Sequence, residues 1–489
     1  MKKLKNYING EWIESASTAY LDVEDPGTGK TISQVPQGCA EDIELAAAAA
    51  SRAFLSWRNT PAGARIQYLF KMKDILEKNA NDIAVICTKE CGKTLAESKG
   101  EILRAIENIE VACGIPTLMQ GEFSEDIASG IDEFVIRQPL GVGACIAPFN
   151  FPIMISFWFF PYALACGNTY IVKPSEKVPE TMTRIFELFE ELHLPEGVLN
   201  MVHGGKHTVD AILTHPEVRA ISFVGSSHVA KYVYAKGAEY GKRVQAQGGA
   251  KNPLLVMEDA DVDTTTRIIA DSVYGCAGQR CLAASTVVLV GKAKEKFRDA
   301  IIKAAKSKAT CYGLDQSSQM GAIITKESKE RILNLINDAE QKGAAVLLDG
   351  RTGCVEGHED GNYIFPTILE NVPPHADADT TEIFGPVMNL KYVDTLDEGI
   401  EFINSGRYGN AASIFTSSGS VARKFRHDAV AGNIGVNIGV PAPMAFFPFS
   451  GWKESFFGDL HGQSNHAVEF YTQTKVVIER WHDEWSRKF

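Results

Sequence analysis

The sequence lacks any run of basic residues. Its 489 residues include 49 Lys and Arg against 61 Asp and Glu, which gives a formal net charge of −12. Nucleic acids and anionic membranes are bound through clustered positive charge, so we expect no nucleic acid and no membrane among the partners. The negative net charge does not exclude small anions as ligands, because a single local arginine is enough to bind one.

Cys-x-x-Cys pairs are also lacking, although the chain has ten cysteines. Several lie inside apolar runs, such as Ala84–Cys87. This setting indicates reduced core thiols in a cytoplasmic protein and argues against a disulfide framework. Cys87 and Cys91 are four positions apart on a predicted helix, but no other metal-ligating residues accompany them. We therefore expect no metal site.

No apolar run is long enough to span a bilayer. The longest, Phe151–Cys166, contains two prolines and is shorter than the ~20 residues that a membrane helix needs. We expect it to form a buried helix. The N-terminal stretch Met1–Gly10 is charged and has no apolar segment of the kind found in secretory signals.

What the sequence does contain is an alternation of strand-like and helix-like runs from about residue 134. Gly141–Ala147, Thr169–Val172 and Arg219–Val224 are strand-like, and helix-like runs such as His228–Tyr240 stand between or after them. Strands separated by helices predict βαβ units and a parallel sheet. A second α/β pattern runs from about 254 to 447, so the predicted fold class is α/β. The C-terminal Val468–Glu479 predicts a strand that pairs with another subunit's sheet edge.

Polar residues follow three of the predicted strands. Asn150, Lys173 and Ser226 each come just after a strand, where parallel sheets bind their ligands. In Phe223–His228, Gly225 turns the chain and Ser226 precedes a helix, whose N-terminus can bind a pyrophosphate. A plain serine N-cap is the alternative. Lys173 and Glu176 could hydrogen-bond ribose hydroxyls or form a surface ion pair.

Tyr274–Cys281, a run rich in small residues, ends on a cysteine that follows Gly-Gln-Arg. Cys281 could be a nucleophile, with Arg280 holding a carboxylate or lowering the thiol pKa. The alternative is a buried structural thiol. Asn150 lies in an apolar Pro-Phe-Asn-Phe-Pro turn, where its amide must find a partner. It is either a turn cap or a hydrogen-bond donor to a developing alkoxide.

These motifs occur in a recognisable order: Ala147–Pro152, Val172–Glu176, Gly278–Cys281 and Glu382–Pro386. In order and spacing they resemble the aldehyde dehydrogenase superfamily. The resemblance implies a Rossmann-type parallel-sheet NAD-binding domain, an α/β catalytic domain and a small β oligomerisation segment, assembled as a homotetramer (a dimer of dimers). The implied limits are 1–123 and 141–247 for NAD binding, 248–447 for catalysis, and 124–140 and 448–489 for oligomerisation.

The resemblance also implies roles for single residues. Cys281 would attack the aldehyde, and Asn150 with the Cys281 backbone N–H would form the oxyanion hole. A glutamate near the ribose 2′-hydroxyl would disfavour a 2′-phosphate, so NAD is expected rather than NADP. Ala230 stands where the family usually has a second glycine. The residues implied to bind NAD are Ala147, Phe149, Lys173, Glu176, Gly225, Ser226, Glu382 and Phe384. For Ala147, Phe149 and Phe384 core packing is the alternative, and for Glu382 a helix-end carboxylate.

One position departs from the hydrolytic members of the superfamily. They carry a glutamate that activates water, whereas the aligned run here begins with Gln247, which cannot take up a proton. In the superfamily, oxidation leaves the acyl group bound to the cysteine as a thioester. We therefore expect this acyl group to be transferred from Cys281 to coenzyme A, which acts as co-substrate. Hydrolysis to a free acid by another water-positioning group is the alternative, and a non-catalytic NAD-binding protein is a remote one.

Two further segments, Gly439–Trp452 and Ser455–His461, resemble the methylmalonate-semialdehyde dehydrogenase subfamily. That subfamily usually has Asn where Gln247 stands. The resemblance implies an aldehyde with a carboxylate, malonate or methylmalonate semialdehyde, held by Arg104 and Arg280 and converted to acetyl-CoA or propionyl-CoA with decarboxylation. For Arg104 the alternative is a helix-surface salt bridge with Glu101 or Glu107.

Overall fold

The computed structural model of the protein describes residues 1–374 and 376–481. Its first half combines short N-terminal strands, a group of helices and then a regular alternation of strands and helices. The elements are β1 (Lys2–Lys3), β2 (Asn6–Ile8), β3 (Glu11–Ile13), β4 (Tyr20–Asp25), β5 (Lys30–Pro36), α1 (Ala40–Trp57), α2 (Ala62–Lys78), α3 (Ala80–Cys91), α4 (Leu95–Ala112), α5 (Ile115–Leu118), β6 (Phe123–Ala128), β7 (Ile131–Pro139), β8 (Val142–Ile146), α6 (Met154–Phe157), α7 (Phe160–Cys166), β9 (Thr169–Lys173), α8 (Glu180–Phe189), β10 (Leu199–Met201), α9 (Lys206–Thr214), β11 (Val218–Val224), α10 (Ser227–Glu239) and β12 (Arg243–Gln247).

The second half repeats the alternation around another sheet. Its elements are β13 (Asn252–Val256), α11 (Val262–Tyr274), β14 (Ala284–Val290), α12 (Ala293–Lys306), α13 (Lys326–Gln341), β15 (Ala345–Leu348), β16 (Thr367–Glu370), α14 (Asp377–Thr380), β17 (Val387–Val393), α15 (Leu396–Ser405), β18 (Tyr408–Gly409), β19 (Ala411–Phe415), α16 (Gly419–Asp428), β20 (Asn433–Val436), β21 (Trp452–Lys453), β22 (Phe456–Phe457), α17 (Ser464–Tyr471) and β23 (Thr472–Arg480).

Two large sheets form the centre of the molecule. The first has the strand order β22-β12-β11-β8-β9-β10-β2-β3, and its strands from β12 to β10 run parallel. The second has the order β15-β16-β17-β14-β13-β19-β20 and is parallel except for β15. Strands β8 and β9 are buried throughout, as expected when helices cover both faces of a sheet. The predicted α/β class is confirmed, whereas the domain limits stay a prediction.

The predicted single helix over Phe151–Cys166 is wrong in one respect. The run is buried as expected, but it is divided into α6 and α7 at Trp158 and Phe159. Pro161 occupies the first turn of α7. A proline has no N–H to donate to a preceding turn, so it is tolerated at the start of a helix and not within one.

The C-terminal strand begins later than the sequence predicts. Residues 468–471 belong to α17, and β23 starts only at Thr472. Tyr471 is fully buried, and its hydroxyl is hydrogen-bonded to those of Tyr170 at 2.8 Å and Ser222 at 2.7 Å, so tertiary contacts override the β-propensity of this segment. Strand β23 pairs with β7 of the same chain, in a third sheet ordered β23-β7-β6. Pairing across subunits stays a prediction.

Membrane-spanning helices are lacking from the described residues, 1–374 and 376–481, where no helix is both long enough and apolar enough to cross a bilayer.

Candidate active site

A cavity of about 820 Å³ opens at the carboxyl ends of β8, β9 and β11 and reaches the loop before β14. This is the edge of the parallel sheet where the sequence places its ligand-binding residues. Most of the candidate residues line it: Ala147, Phe149, Asn150, Lys173, Glu176, Gly225, Ser226, Cys281, Glu382 and Phe384. Arg104 and Arg280 lie outside the cavity wall.

Lys173 and Glu176 form an ion pair in the wall of this cavity. The Nζ of Lys173 is 3.1 Å from Glu176 Oε2, and the lysine is buried whereas the glutamate is about one-third exposed. Burial opposes ionisation of Glu176, but Lys173 and a backbone N–H outweigh it and hold the pKa of the carboxyl below its usual value. A charged carboxylate therefore faces the cavity, ready to accept hydrogen bonds from hydroxyl groups.

The turn from β11 into α10 carries Gly225 and Ser226. A side chain at Gly225 would displace the Phe223 ring, since a Cβ there would lie 2.5 Å from it. Ser226 stands at the N-cap position, but its side chain accepts no capping hydrogen bond from α10. Ala230, where the family usually has glycine, is fully buried one turn into the helix. The positive end of a helix dipole thus faces the cavity, as a pyrophosphate site requires.

Cys281 stands after a strained turn. Cys276, Ala277 and Gly278 have φ angles of 50°, 51° and 72°, a left-handed stretch that is unfavourable for the first two residues. The Cys281 carbonyl accepts hydrogen bonds from Asn252 Nδ2 and Asn410 Nδ2, each at 2.8 Å. The turn and these two amides fix the backbone that presents the thiol to the cavity.

The surroundings of Cys281 disfavour its thiolate form. Burial, followed by the charge of Glu382, raises its pKa to about 12, while backbone N–H groups and Arg280 oppose the shift. A thiol must lose its proton before it attacks an aldehyde, because only the thiolate is strongly nucleophilic. Activation of Cys281 therefore requires a change in this electrostatic environment.

Asn150 is buried and lines the same cavity as Cys281. Its side-chain Nδ2 donates to the backbone carbonyl of Gln279 at 3.0 Å, and its backbone carbonyl accepts from Lys93 Nζ at 2.7 Å. An amide nitrogen carries two hydrogens, so one N–H can serve Gln279 while the other faces the cavity. The oxyanion role proposed for Asn150 is compatible with this geometry.

Glu382 and Phe384 close the cavity from the second sheet. The Oε1 of Glu382 accepts the Ala250 N–H at 2.9 Å, and burial raises the pKa of this carboxyl to about 7. The ring of Phe384 meets that of Phe149 edge to face, with centroids 5.8 Å apart. Phe149 follows a strand of the first sheet and Phe384 precedes a strand of the second, so their contact connects the parts of the cavity wall that the two sheets contribute.

Gln247 is buried at the end of β12. Its Nε2 donates to Asn410 Oδ1 at 3.2 Å, and Asn410 in turn contacts the Cys281 carbonyl. The residue at this position is therefore one side chain away from the nucleophile, and it carries no group that can take up a proton at neutral pH.

Arg104 and Arg280 are both engaged within the protein. Arg104 forms an ion pair of 2.7 Å with Glu107 and also contacts Pro443 and Met444. This is the alternative partner that the sequence allows for. Arg280 Nη2 donates to the carbonyls of Asp271 at 2.6 Å and Ser272 at 3.0 Å. Their joint role in binding a carboxylate stays a prediction.

Sequence reasoning missed three charged residues behind the cavity: Lys93, Glu97 and Glu101. Lys93 and Glu101 are buried as an ion pair, and Glu97 hydrogen-bonds the backbone of Cys276 at 2.6 Å. One signal was available in the sequence. Glu101 falls on the apolar face of α4 together with Ile102 and other buried side chains, and a charge on such a face is rare unless it has a partner.

Comparison with known proteins agrees with the fold. Residues 12–477 match the model of the aldehyde dehydrogenase family. The chain belongs to this family.

The relatives and solved structures that it resembles include one group within the family, the malonate- and methylmalonate-semialdehyde dehydrogenases. It is 45% identical to a malonate-semialdehyde dehydrogenase of Halalkalibacterium halodurans over 98% of this chain and 99% of the relative. It is 46% identical to the mitochondrial methylmalonate-semialdehyde dehydrogenase [acylating] of Arabidopsis thaliana, over 98% of this chain and 79% of the relative. The solved methylmalonate-semialdehyde dehydrogenase of Oceanimonas doudoroffii superposes with a TM-score of 0.97 at 40% identity, over 99% of each chain. A Sinorhizobium meliloti structure of the same name, in complex with NAD, also gives 0.97 at 39% identity, over 99% of each chain.

Proposed function

We propose that this protein oxidises malonate or methylmalonate semialdehyde with NAD and transfers the acyl group to coenzyme A. The reaction class is supported by Cys281 and Asn150 at the wall of one cavity. The substrate class is supported by the names of relatives that match along nearly the whole chain. The observation that carries acyl transfer is the neutral amide of Gln247 behind the nucleophile.

The cavity suits a dinucleotide. Its wall includes a buried lysine paired with a carboxylate, a helix N-terminus and two aromatic rings. Lys173 and Glu176 would hold the adenosine ribose, and Gly225 with Ser226 would hold the pyrophosphate. NAD, when bound, supplies the hydride acceptor.

Cys281 and Asn150 carry out the bond changes at the aldehyde. The Cys281 thiol loses its proton and its sulfur adds to the aldehyde carbon, which forms a thiohemiacetal. The Asn150 amide and the Cys281 backbone N–H stabilise the negative oxygen of that adduct. Removal of the aldehyde hydrogen as hydride then leaves a thioester on Cys281.

Release of the acyl group is where Gln247 matters. Hydrolysis needs a base to take a proton from water, and general-base catalysis is worth about two to four orders of magnitude. Gln247 cannot act as that base. Coenzyme A brings a thiol, part of which is ionised near neutral pH, so it attacks the thioester with less assistance. The bond to the substrate carboxylate breaks to release carbon dioxide, and a proton from solvent takes the place of the carboxylate on carbon, which gives acetyl-CoA or propionyl-CoA as product.

For substrate binding we propose that Arg104 and Arg280 contact the carboxylate. A planar guanidinium suits two-point binding of this group. Arg104 would exchange its ion pair with Glu107 for the substrate, and such an exchange is feasible because the arginine is about one-quarter exposed.

NADH formation from malonate semialdehyde, measured with and without coenzyme A, tests the proposal. We expect turnover to depend on coenzyme A, with acetyl-CoA as product. Equal turnover without coenzyme A, with a free acid as product, would overturn acyl transfer. The same assay with methylmalonate semialdehyde, compared through kcat/KM, determines which of the two aldehydes is preferred.

A hydrolytic aldehyde dehydrogenase is the second candidate, and Glu382 favours it. The charge of this carboxylate raises the pKa of the Cys281 thiol, and its own pKa is raised to about 7, which is suitable for a general base. Glu382→Gln would then abolish release of free acid while leaving the first burst of NADH. If Glu382 only binds the cofactor, the variant instead weakens NAD binding.

We further infer that the protein is a cytoplasmic homotetramer. Ten free cysteines suit a reducing compartment. In the β23-β7-β6 sheet, Phe123, Ile127, Val476 and Ile478 are each more than half exposed, and apolar side chains in such numbers are typical of an interface. Molar mass from light scattering tests the tetramer, and a stable monomer would refute it.

A further inference from the structure

Lys93 and Glu101 form a deeply buried ion pair outside the cavity. Their side chains are 4% and 0% exposed, and Lys93 Nζ lies 2.6 Å from Glu101 Oε2. A buried ion pair contributes little net stability, because its attraction mostly repays the loss of hydration. Its presence therefore calls for an explanation other than stability.

Both members of the pair hold the turn that contains Asn150. Lys93 Nζ donates to the backbone carbonyl of Asn150 at 2.7 Å. The other oxygen of Glu101, Oε1, accepts the backbone N–H groups of Ile153 at 2.7 Å and Met154 at 3.0 Å. The pair thus fixes both ends of the segment from Asn150 to Met154, and with it the direction of the Asn150 amide.

Glu97 performs the corresponding task for the nucleophile, one helical turn earlier on α4. Its Oε2 accepts the Thr94 N–H at 2.9 Å and so caps the helix. Its Oε1 accepts the Cys276 N–H at 2.6 Å, at the start of the left-handed stretch that leads to Cys281. A strained backbone persists only where surrounding contacts hold it, and this hydrogen bond is such a contact.

We propose that helix α4 positions both halves of the active site: Glu97 holds the loop before Cys281, and Glu101 with Lys93 holds the turn of Asn150. The two glutamates are four positions apart and therefore lie on one face of the helix. Since both belong to a single rigid element, they fix the distance between nucleophile and oxyanion donor. The inference rests on the proposed roles of Cys281 and Asn150.

These are positioning residues that act through backbone groups and not on the substrate. Within the described residues, none of the three lines the cavity. A displacement of about 1 Å in a reacting group can cost on the order of a hundredfold in rate, so modest shifts of either loop are enough to matter.

Three variants and two readouts test the proposal. The first readout is the rate of the NADH burst with propanal at saturating NAD, and the second is the alkylation rate of Cys281 by iodoacetamide. We expect Glu101→Gln to slow the burst by ~10–100-fold and to leave alkylation unchanged, because it moves only the oxyanion donor. Glu97→Ala is expected to change both rates, and Glu97→Gln, which keeps an acceptor for the Cys276 N–H, to recover most of the burst rate.

Glu110→Gln is the matched control, since it removes a negative charge from the exposed side of α4, where Glu110 pairs with Lys73. If Glu101→Gln does not fold, the double variant Lys93→Met with Glu101→Met removes both charges at once and is expected to slow the burst as well. Wild-type burst rates in all variants would overturn the inference. So would a fall in burst amplitude alone, which indicates fewer folded molecules. If the unmodified protein gives no burst with either propanal or malonate semialdehyde, the proposed function fails instead.

Discussion

The Gln247 amide nitrogen donates to Asn410 Oδ1 at 3.2 Å, and the Asn410 amide in turn donates to the Cys281 carbonyl at 2.8 Å. Position 247 is therefore coupled to the nucleophile by hydrogen bonds although it carries no base. Substitution there changes the capacity for proton transfer and leaves the surrounding packing almost unaltered, which makes it the most direct test of how the thioester is released.

Gln247→Glu is expected to increase the CoA-free release of acid by at least ~100-fold, because it adds a general base one hydrogen-bonded side chain from Cys281. The increase should be measured as steady-state NADH formation without coenzyme A. Gln247→Asn serves as the control, since it shortens the side chain and adds no base. An unchanged CoA-free rate in Gln247→Glu would mean that Gln247 is not the cause of slow hydrolysis.

Cys281→Ala is expected to abolish NADH formation, since no other group forms the thioester. Its control is Cys354→Ser, which alters an exposed free cysteine and should retain full activity. Mass spectrometry of the protein after one turnover with substrate and no coenzyme A should show the acyl group on the peptide that contains Cys281. Full dehydrogenase activity in Cys281→Ala would contradict the mechanism.

The pH dependence of alkylation reports the state of the Cys281 thiol. Its pKa is raised to about 12, so the thiolate is lost as the pH falls below that value. Without NAD, alkylation should accelerate by roughly tenfold per pH unit well below the pKa. Glu382 gains its charge near pH 7 and opposes that ionisation, so the rise should be shallower there.

Glu382→Gln removes this opposing charge. We expect faster alkylation of Cys281 at pH 8 in the variant and a profile without the shallow region. Cys354, followed in the same samples as a separate peptide, provides the reference rate. An identical pH profile in variant and parent would show that the charge of Glu382 does not affect the pKa of the Cys281 thiol.

Arg104→Ala should raise the KM for malonate semialdehyde by ~10–100-fold, which is the value of a lost charge-assisted hydrogen bond. Propanal has no carboxylate, and its KM should change little. Glu107→Gln provides the opposite perturbation: it removes the carboxylate that pairs with Arg104 and should lower the KM for the charged aldehyde. Equal losses on both aldehydes would place Arg104 in the structural framework.

The sequence predicts the part of the fold that depends on local pattern. Alternating strands and helices over 141–247 are confirmed. Asn150 and Ser226 follow their strands as predicted, Lys173 is instead the last residue of β9, and all three line one cavity. A strand end is a local feature, and the geometry of parallel sheets brings such ends together. This part of the site therefore follows from periodicity and topology alone.

The missed features depend on contacts between distant segments. Two such contacts join Glu97 to Cys276 and Lys93 to Asn150. The residues of each pair are far apart in sequence, so the local sequence pattern cannot predict that they meet. Residues 468–471 became helical because Tyr471 is buried against Tyr170 and Ser222. Each of these outcomes is a tertiary effect that overrides or adds to the local propensity.

The pairing of β23 with β7 has a consequence for the order in which the molecule can be completed. Nine residue pairs, from Thr472 opposite Pro139 to Arg480 opposite Ile131, join two segments that the whole second sheet separates in sequence. During synthesis, β6 and β7 leave the ribosome long before β23, so β7 remains unpaired on that edge until β23 has been made. Contacts of such long sequence separation form slowly. A nascent chain stopped before residue 472 would expose this unpaired hairpin edge, and chaperones are well suited to protect an edge of that kind.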